Sequence, residues 1–220
     1  MTPLLPTCHC SKQGRTTGTR TACLALICVA AGLVLPAVAP ASAQSTSSRM
    51  EVVGFARAPI GFISFCEREP RDCVAPGQVR RAALTGKSFA ELDRVNRFAN
   101  TRIKPATDQE IYGRAEYWAI PTDRGDCEDY VLLKRRLLVR AGWPPSALLI
   151  TVVRDNADEG HAVLTVATDR GDYVLDNQRD AILPWQATGY EYIKRQSQTD
   201  PKAWVYVGDP SVDAKVTSTR

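Results

Sequence analysis

The sequence predicts an α+β domain: a helical front half packed on an antiparallel sheet. Two observations carry this. Apolar residues recur at helical spacing in two stretches before residue 141, and short strand-like apolar runs follow one another from residue 148 onward. No internal repeat or low-complexity segment interrupts that order.

The chain opens with Lys12, Arg15 and Arg20 and no acid, continues with an apolar run from Ala22 to about Val38, and reaches Ala41-Ser42-Ala43 before Gln44. A basic start, an apolar middle and an Ala-x-Ala end describe a cleavable secretory signal over residues 1–43, with an uncleaved membrane anchor as the alternative. Neither Cys23 nor Cys28 follows the small-residue run of a lipoprotein signal, and Cys8, His9 and Cys10 fall in the discarded segment. Export is therefore expected, with no membrane span left after cleavage.

Residues 44–50 form a polar leader expected to be mobile, residues 51–210 the folded domain, and residues 211–220 a polar tail. Cleavage leaves 177 of 220 residues, a length suited to one domain with its own core. Three of the 28 basic residues lie in the signal, so 25 face 24 acids in the mature chain. No block of positive charge remains to bind nucleic acid, and Arg135-Arg136 are expected on a solvated helix face.

Cys66 and Cys73 bracket a polar stretch with Pro70, and in an oxidising compartment they read as a disulfide, with two free thiols as the other reading. Cys127 is then the odd cysteine, a mark of a reactive thiol or an intermolecular bridge.

Within residues 51–65, Gly54, Pro59 and Gly61 break the apolar pattern, so extended or irregular structure is expected. Ser88 and Glu91 read as a capping box ahead of Phe89, Leu92, Val95 and Phe98, a helix running to about Ile103. Residues 104–124 read as loop with a short helical turn around Tyr112, Tyr117 and Trp118; buried packing suits this cluster better than a substrate groove. A second helix spans 127–140 with Tyr130, Leu133, Leu137 and Leu138 inward, ended by Gly142 and Pro144. Strands are expected over 148–153, 161–167, 173–175 and 203–207.

The chemistry gathers on three residues. Cys127 stands at a helix start, where unpaired N–H groups and the helix dipole favour a thiolate. His161, the single histidine of the mature chain, opens a strand. If the following turn falls within 168–171, Asp176 on the next strand lies opposite His161 or Val163 and reaches the imidazole directly or diagonally. Taken singly, a buried cysteine packs, a strand-initial histidine is structural and Asp176-Asn177 makes a turn; together they are a nucleophile, its base and the base's orienter.

Asp126, Glu128 and Asp129 flank the cysteine and oppose its thiolate. The ordinary reading is helix-start acids pointing outward. The sharper one is a hard cation, calcium, held by two or three of Asp126, Glu128 and Asp129 with a backbone or distant side-chain ligand added.

Gly125-Asp126-Cys127-Glu128-Asp129-Tyr130, Lys134, Leu138, Gly142, His161-Ala162-Val163-Leu164 and Leu175-Asp176-Asn177 together resemble the bacterial transglutaminase-like cysteine proteinases, which include LapG-type periplasmic proteases. The likeness runs from about Phe62 to Ile193. It implies a papain-like, transglutaminase-type fold with Cys127 as nucleophile, His161 as general base and acid, and Asp176 orienting the imidazole. It also implies calcium held by the acids beside the cysteine, and cleavage of the N-terminal region of a large surface adhesin, which controls biofilm attachment. An inner-membrane receptor that senses cyclic di-GMP is an implied partner, and the periplasm is the implied destination of export. A transglutaminase-type acyl transferase, a cell-wall amidase and a non-catalytic binding module remain the alternatives, because fold and triad do not choose the substrate.

Overall fold

A computed structural model describes residues 47–75, 77–209, 211 and 213. The expected signal and cleavage site over residues 1–43, residues 44–46 and the rest of the C-terminal tail lie outside the described residues. Among those described, no helix is long and apolar enough to cross a membrane.

The architecture is mixed helix and antiparallel sheet, an α+β fold as expected. Strands β1 (Gly54–Ala56), β4 (Leu148–Arg154), β5 (Gly160–Thr168), β6 (Gly171–Leu175), β7 (Leu183–Pro184), β8 (Glu191–Gln196) and β9 (Trp204–Tyr206) form one sheet in the order β1-β9-β8-β4-β5-β6-β7. Helices α1 (Ile60–Arg68), α2 (Gly86–Arg102) and α4 (Cys127–Arg140) pack through Phe62, Phe65, Leu92, Val95, Val131 and Leu138 against Ile150, Ala162, Leu164 and Val166. A second cluster joins Met50, Val163, Val174, Tyr190 and Tyr192. Strand β5 is therefore buried on both faces, which explains its nearly unbroken apolar sequence.

Helix α1 replaces the irregular structure expected before the disulfide. Pro59 stands at its N-cap, where its carbonyl accepts from the Ile63 N–H at 3.1 Å. Gly61 lies so close to the Trp118 indole that a Cβ would sit 2.3 Å from the ring. The proline and glycine mark a helix start and a close contact, not a break. Cys66 and Cys73 are bonded, tying α1 to the short 3-10 turn Pro70–Cys73.

Helix α2 begins two residues before the expected capping box. Thr85 is the cap: its hydroxyl accepts from the Ser88 N–H at 3.1 Å while Ser88 Oγ accepts from the Thr85 N–H at 2.8 Å. Glu91 instead accepts the indole N–H of Trp143 at 2.9 Å.

Strands β2 (Lys104–Pro105) and β3 (Arg124–Gly125) pair in parallel, so the chain between them closes on itself. The short helix α3 (Asp108–Tyr112) opens that loop, and Trp118 within it is buried in the core, as expected.

Helix α4 has its expected bounds and ends where Gly142 takes a positive φ of 93°, with the Gly142 and Trp143 N–H groups capping Val139 O and Leu138 O. Its arginines are not the solvated pair expected. Arg135 is buried and donates to Leu148 O and Asp72 O, while Arg136 pairs with Asp72 and Glu69 and so moors the disulfide turn to the helix. Tyr130 and Leu138 are buried, Leu133 and Leu137 only partly.

The β5–β6 hairpin turns tightly at Asp169-Arg170, with Thr168 facing Gly171 and Leu164 facing Leu175. Strand β8 escaped the sequence reading because its buried positions carry Lys194, Arg195 and Gln196. Each has a particular partner, Lys194 in Asp213, Arg195 Nη1 in the Gln196 carbonyl and Gln196 in the Ile150 N–H, while Arg195 Nε is buried without one among the described residues. The described end of the leader is docked, contrary to expectation. Met50 is buried and donates its N–H to Asp172 at 2.8 Å, and Ser48 O accepts from the Asp172 N–H at 2.9 Å.

Candidate active site

Cys127 is the first residue of α4, preceded by Asp126 in extended conformation at the N-cap. Amides of a first helical turn lack intrahelical acceptors, so the backbone there favours negative charge. The cysteine is half-buried, and the backbone N–H of Ala162, the residue after His161, favours the charged form of its thiol. The thiol therefore lies near the start of β5, where the imidazole is rooted.

His161 is buried, and its Nε2 lies 2.9 Å from Asp176 Oδ1. The hairpin register sets this up: because Leu164 faces Leu175, the next residue, Asp176, falls beside Val163 and diagonal to His161. With Nε2 committed to Asp176, the neutral ring carries its proton there and offers Nδ1 as the acceptor.

Asp176 is fixed on every side. Its Oδ1 also accepts from the Gln178 N–H at 3.0 Å, and its Oδ2 accepts from the Tyr190 hydroxyl at 2.6 Å. Asn100 of α2 donates to its backbone carbonyl at 2.9 Å. Burial by itself would raise this carboxyl, but the bonds from His161, Tyr190 and Gln178 outweigh it and hold the group below its ordinary range. Tyr190 also meets the imidazole edge-on at 5.9 Å. The sequence reading missed Tyr190: it lies in no motif, and only the return of the chain before β8 places it here.

The acids behave differently. Asp108, Asp126 and Glu128 each offer a carboxylate oxygen, and these oxygens lie within 4.8 Å of one another. Asp108, not foreseen from the sequence, reaches the group because β2 and β3 close the intervening loop. Asp129, expected as a ligand beside Asp126 and Glu128, is not in this grouping. Its Oδ1 accepts from the Ala119 N–H at 2.7 Å, while Oδ2 is buried without a hydrogen-bond partner among the described residues. Gly125 makes room for it, since a Cβ there would fall 2.7 Å from the Asp129 side chain. Asp108 in turn accepts from the Tyr117 N–H, closing the aromatic loop on itself, while Asp129 secures that loop to the start of α4.

Burial and then the neighbouring carboxylates push Asp126 up to about 9. Asp129 rises to about 8, burial again dominating over the donor from Ala119. The thiol of Cys127 is also pushed up, first by burial and then by Glu128, whose Oε2 lies 2.9 Å from the sulfur. Burial first, and the uncompensated acids after it, thus oppose the help that the helix start gives a thiolate. A hard divalent cation suits this donor set, which is all oxygen, mutually repelling, buried at Asp108 and Glu128 and half-buried at Asp126, whose Oδ1 has no hydrogen-bond partner among the described residues.

A family described as the bacterial transglutaminase-like cysteine proteinases (BTLCP) matches residues 52–212. Among solved structures, calcium-bound LapG of Legionella pneumophila aligns with 60% of this chain and 81% of its own, at 25% identity and a TM-score of 0.47. A second structure of Legionella pneumophila LapG covers 60% and 78% at 27% identity and 0.47, and an EGTA-treated one 60% and 80% at 25% and 0.45. No curated protein matches the chain.

Proposed function

Because the chain belongs to the bacterial transglutaminase-like cysteine proteinases, we propose that it is an exported, calcium-dependent endopeptidase that cuts the N-terminal region of a large surface adhesin and so controls biofilm attachment. The protein is a cysteine protease by family. The observation that best supports the finer reading is the pair His161–Asp176, locked with Tyr190 behind it, at the start of the strand whose Ala162 amide acts on the Cys127 thiol.

In this reading His161 Nδ1 takes the proton of Cys127 and the sulfur attacks a peptide carbonyl. The imidazolium then protonates the departing amine, and water, activated by the same ring, resolves the thioester. The oxyanion is held in part by the backbone N–H of Cys127, placed where the helix start supplies donors. Asp176 keeps the ring in the tautomer and orientation this needs. Asp108, Asp126 and Glu128 would hold the calcium ion, which supplies positive charge that offsets the acids opposing the thiolate. Periplasmic location and control by an inner-membrane receptor for cyclic di-GMP follow as proposals from the signal-like leader and from family membership.

The test is to incubate the purified mature protein with N-terminal regions of the host's surface proteins, with and without calcium, and to identify the products by mass. A new amine terminus, lost in Cys127→Ala and in chelator, is expected. A crosslinked product of higher mass, or activity that survives Cys127→Ala, would overturn the reading.

A further inference from the structure

Far from the nucleophile, the fold assembles a positive patch that is not legible as a run in the sequence. A cleft of about 1240 Å³ opens between the disulfide turn, the approach to α2 and the C-terminal end of α4. Arg71, Arg80, Lys87 and Arg140 line it from four separate segments, and all four are exposed. Among the described residues, Arg71, Lys87 and Arg140 have no acid partner, and the Arg80 guanidinium bonds only the neutral side chain of Gln78. The acids that also line the cleft are engaged: Glu69 and Asp72 with Arg136, and Glu91 with Arg94 and the Trp143 indole.

The mature chain is nearly neutral, so this concentration of unmatched positive charge is local. The opposite end of α4 carries the acids around Cys127. A 14-residue helix separates the two poles by about 20 Å. The cleft exceeds the usual volume of a small-molecule pocket and mixes its cations with apolar Val74, Val139 and Pro144. Its indole, Trp143, is buried with its N–H committed to Glu91, so it offers no face for base stacking. Exposed guanidinium and ammonium groups beside apolar wall match a peptide that alternates carboxylates with apolar residues.

We propose that this cleft is a docking site for an acidic, partly apolar segment of the polypeptide substrate. The assignment to substrate rests on the protease reading; the binding surface itself does not. The two poles then orient one chain: its acidic segment docks at the basic end, while its scissile bond lies at the acidic end. An extended chain covers 20 Å in about six residues, so the docking segment stands at least about that far from the cut. Docking of the first segment raises the effective concentration of the second at the site.

The test uses the mature protein with a fluorescent twelve-residue peptide alternating Glu and Leu, a counterpart alternating Lys and Leu, and a single-stranded oligonucleotide, read by anisotropy at low and high salt. The variant pair is Lys87→Glu with Arg140→Glu, controlled by Lys87→Arg, and binding is repeated in Cys127→Ala. The acidic peptide is expected to bind wild type and Cys127→Ala alike, about tenfold more weakly to the double reversal and at high salt, with the lysine peptide not binding. Equal affinity for both peptides, affinity unchanged in the double reversal, or tighter binding of the oligonucleotide overturns the proposal. With a cleavable surface-protein fragment, the double reversal is expected to raise KM about tenfold at unchanged kcat. Unchanged KM alongside weakened peptide binding overturns the assignment to substrate. Normal peptide binding by a protein that cuts nothing overturns the protease reading and leaves the surface standing.

Discussion

Tyr190 and Lys134 show how one side chain sets the state of its neighbours. Removing the Tyr190 hydroxyl leaves Asp176 Oδ2 without its 2.6 Å donor, in a place where water is largely excluded. Tyr190→Phe is expected to lower kcat about tenfold with little change in KM, because a hydrogen bond to a charged group is worth about 1.5–3 kcal/mol; steady-state kinetics on a cleaved fragment measure it. Lys134, in the middle of α4, is fully buried and its Nζ has no hydrogen-bond partner among the described residues. Burial pulls it down to about 7, against the opposing pull of Asp176 and Asp180. Between pH 7 and the ordinary lysine value near 10.4 the unfolded chain holds the extra proton, so this group makes stability rise with pH across that window, by up to about 1.4 kcal/mol per pH unit. Below pH 7 both states are protonated and the burial penalty is felt in full. Lys134→Met is therefore expected to be more stable than wild type at pH 6, with the gap closing toward pH 10, as melting temperatures across pH would record. Cys127, His161 and Asp176 were legible at this scale because each is chemically singular in its segment. Tyr190 was not, since one tyrosine among seven carries no local mark.

Elements decide which of these residues meet. The tight turn at Asp169-Arg170 fixes the β5–β6 register, and one residue of slip would turn Asp176 away from His161. The expected strands and α4 were found because their apolar periodicity is local. Helix α1 and strand β8 were missed because Pro59 and Gly61 imitate breakers, and because buried Lys194, Arg195 and Gln196 imitate a surface loop. The parallel pairing of β2 with β3 matters most for the acids, since it brings α3, and with it Asp108, to the start of α4. Asp108→Asn is expected to weaken calcium binding at least about tenfold while the helical signal of the protein is retained; titration calorimetry and circular dichroism read the two effects separately. Affinity equal to that of wild type would remove Asp108 from the ligand set and restore the sequence-based choice of Asp129.

At the scale of the molecule, the buried acids make a charge problem that a bound cation relieves. A cation that binds the folded chain alone stabilises it by mass action, about 2.7 kcal/mol at one hundred times its dissociation constant. For a domain of this size that corresponds to a melting temperature about 5–10 °C higher with calcium than in chelator, which calorimetry measures; identical transitions would mean that no such site is built. The same scale gives the molecule an acidic pole at Cys127 and a basic cleft at the other end of α4, although the linear chain has neither a basic block nor an obvious dipole. The sequence by itself determined the fold class, the bounds of α4, the hairpin and the three residues of the candidate triad, because periodicity, chemical singularity and spacing are properties of neighbours along the chain. Only the tertiary structure decided that Asp108 joins the acids, that Tyr190 braces Asp176, that Arg135 is buried and that four distant cations share one cleft. Those are contacts between segments far apart in sequence, and they arise when burial of the common core brings the segments together.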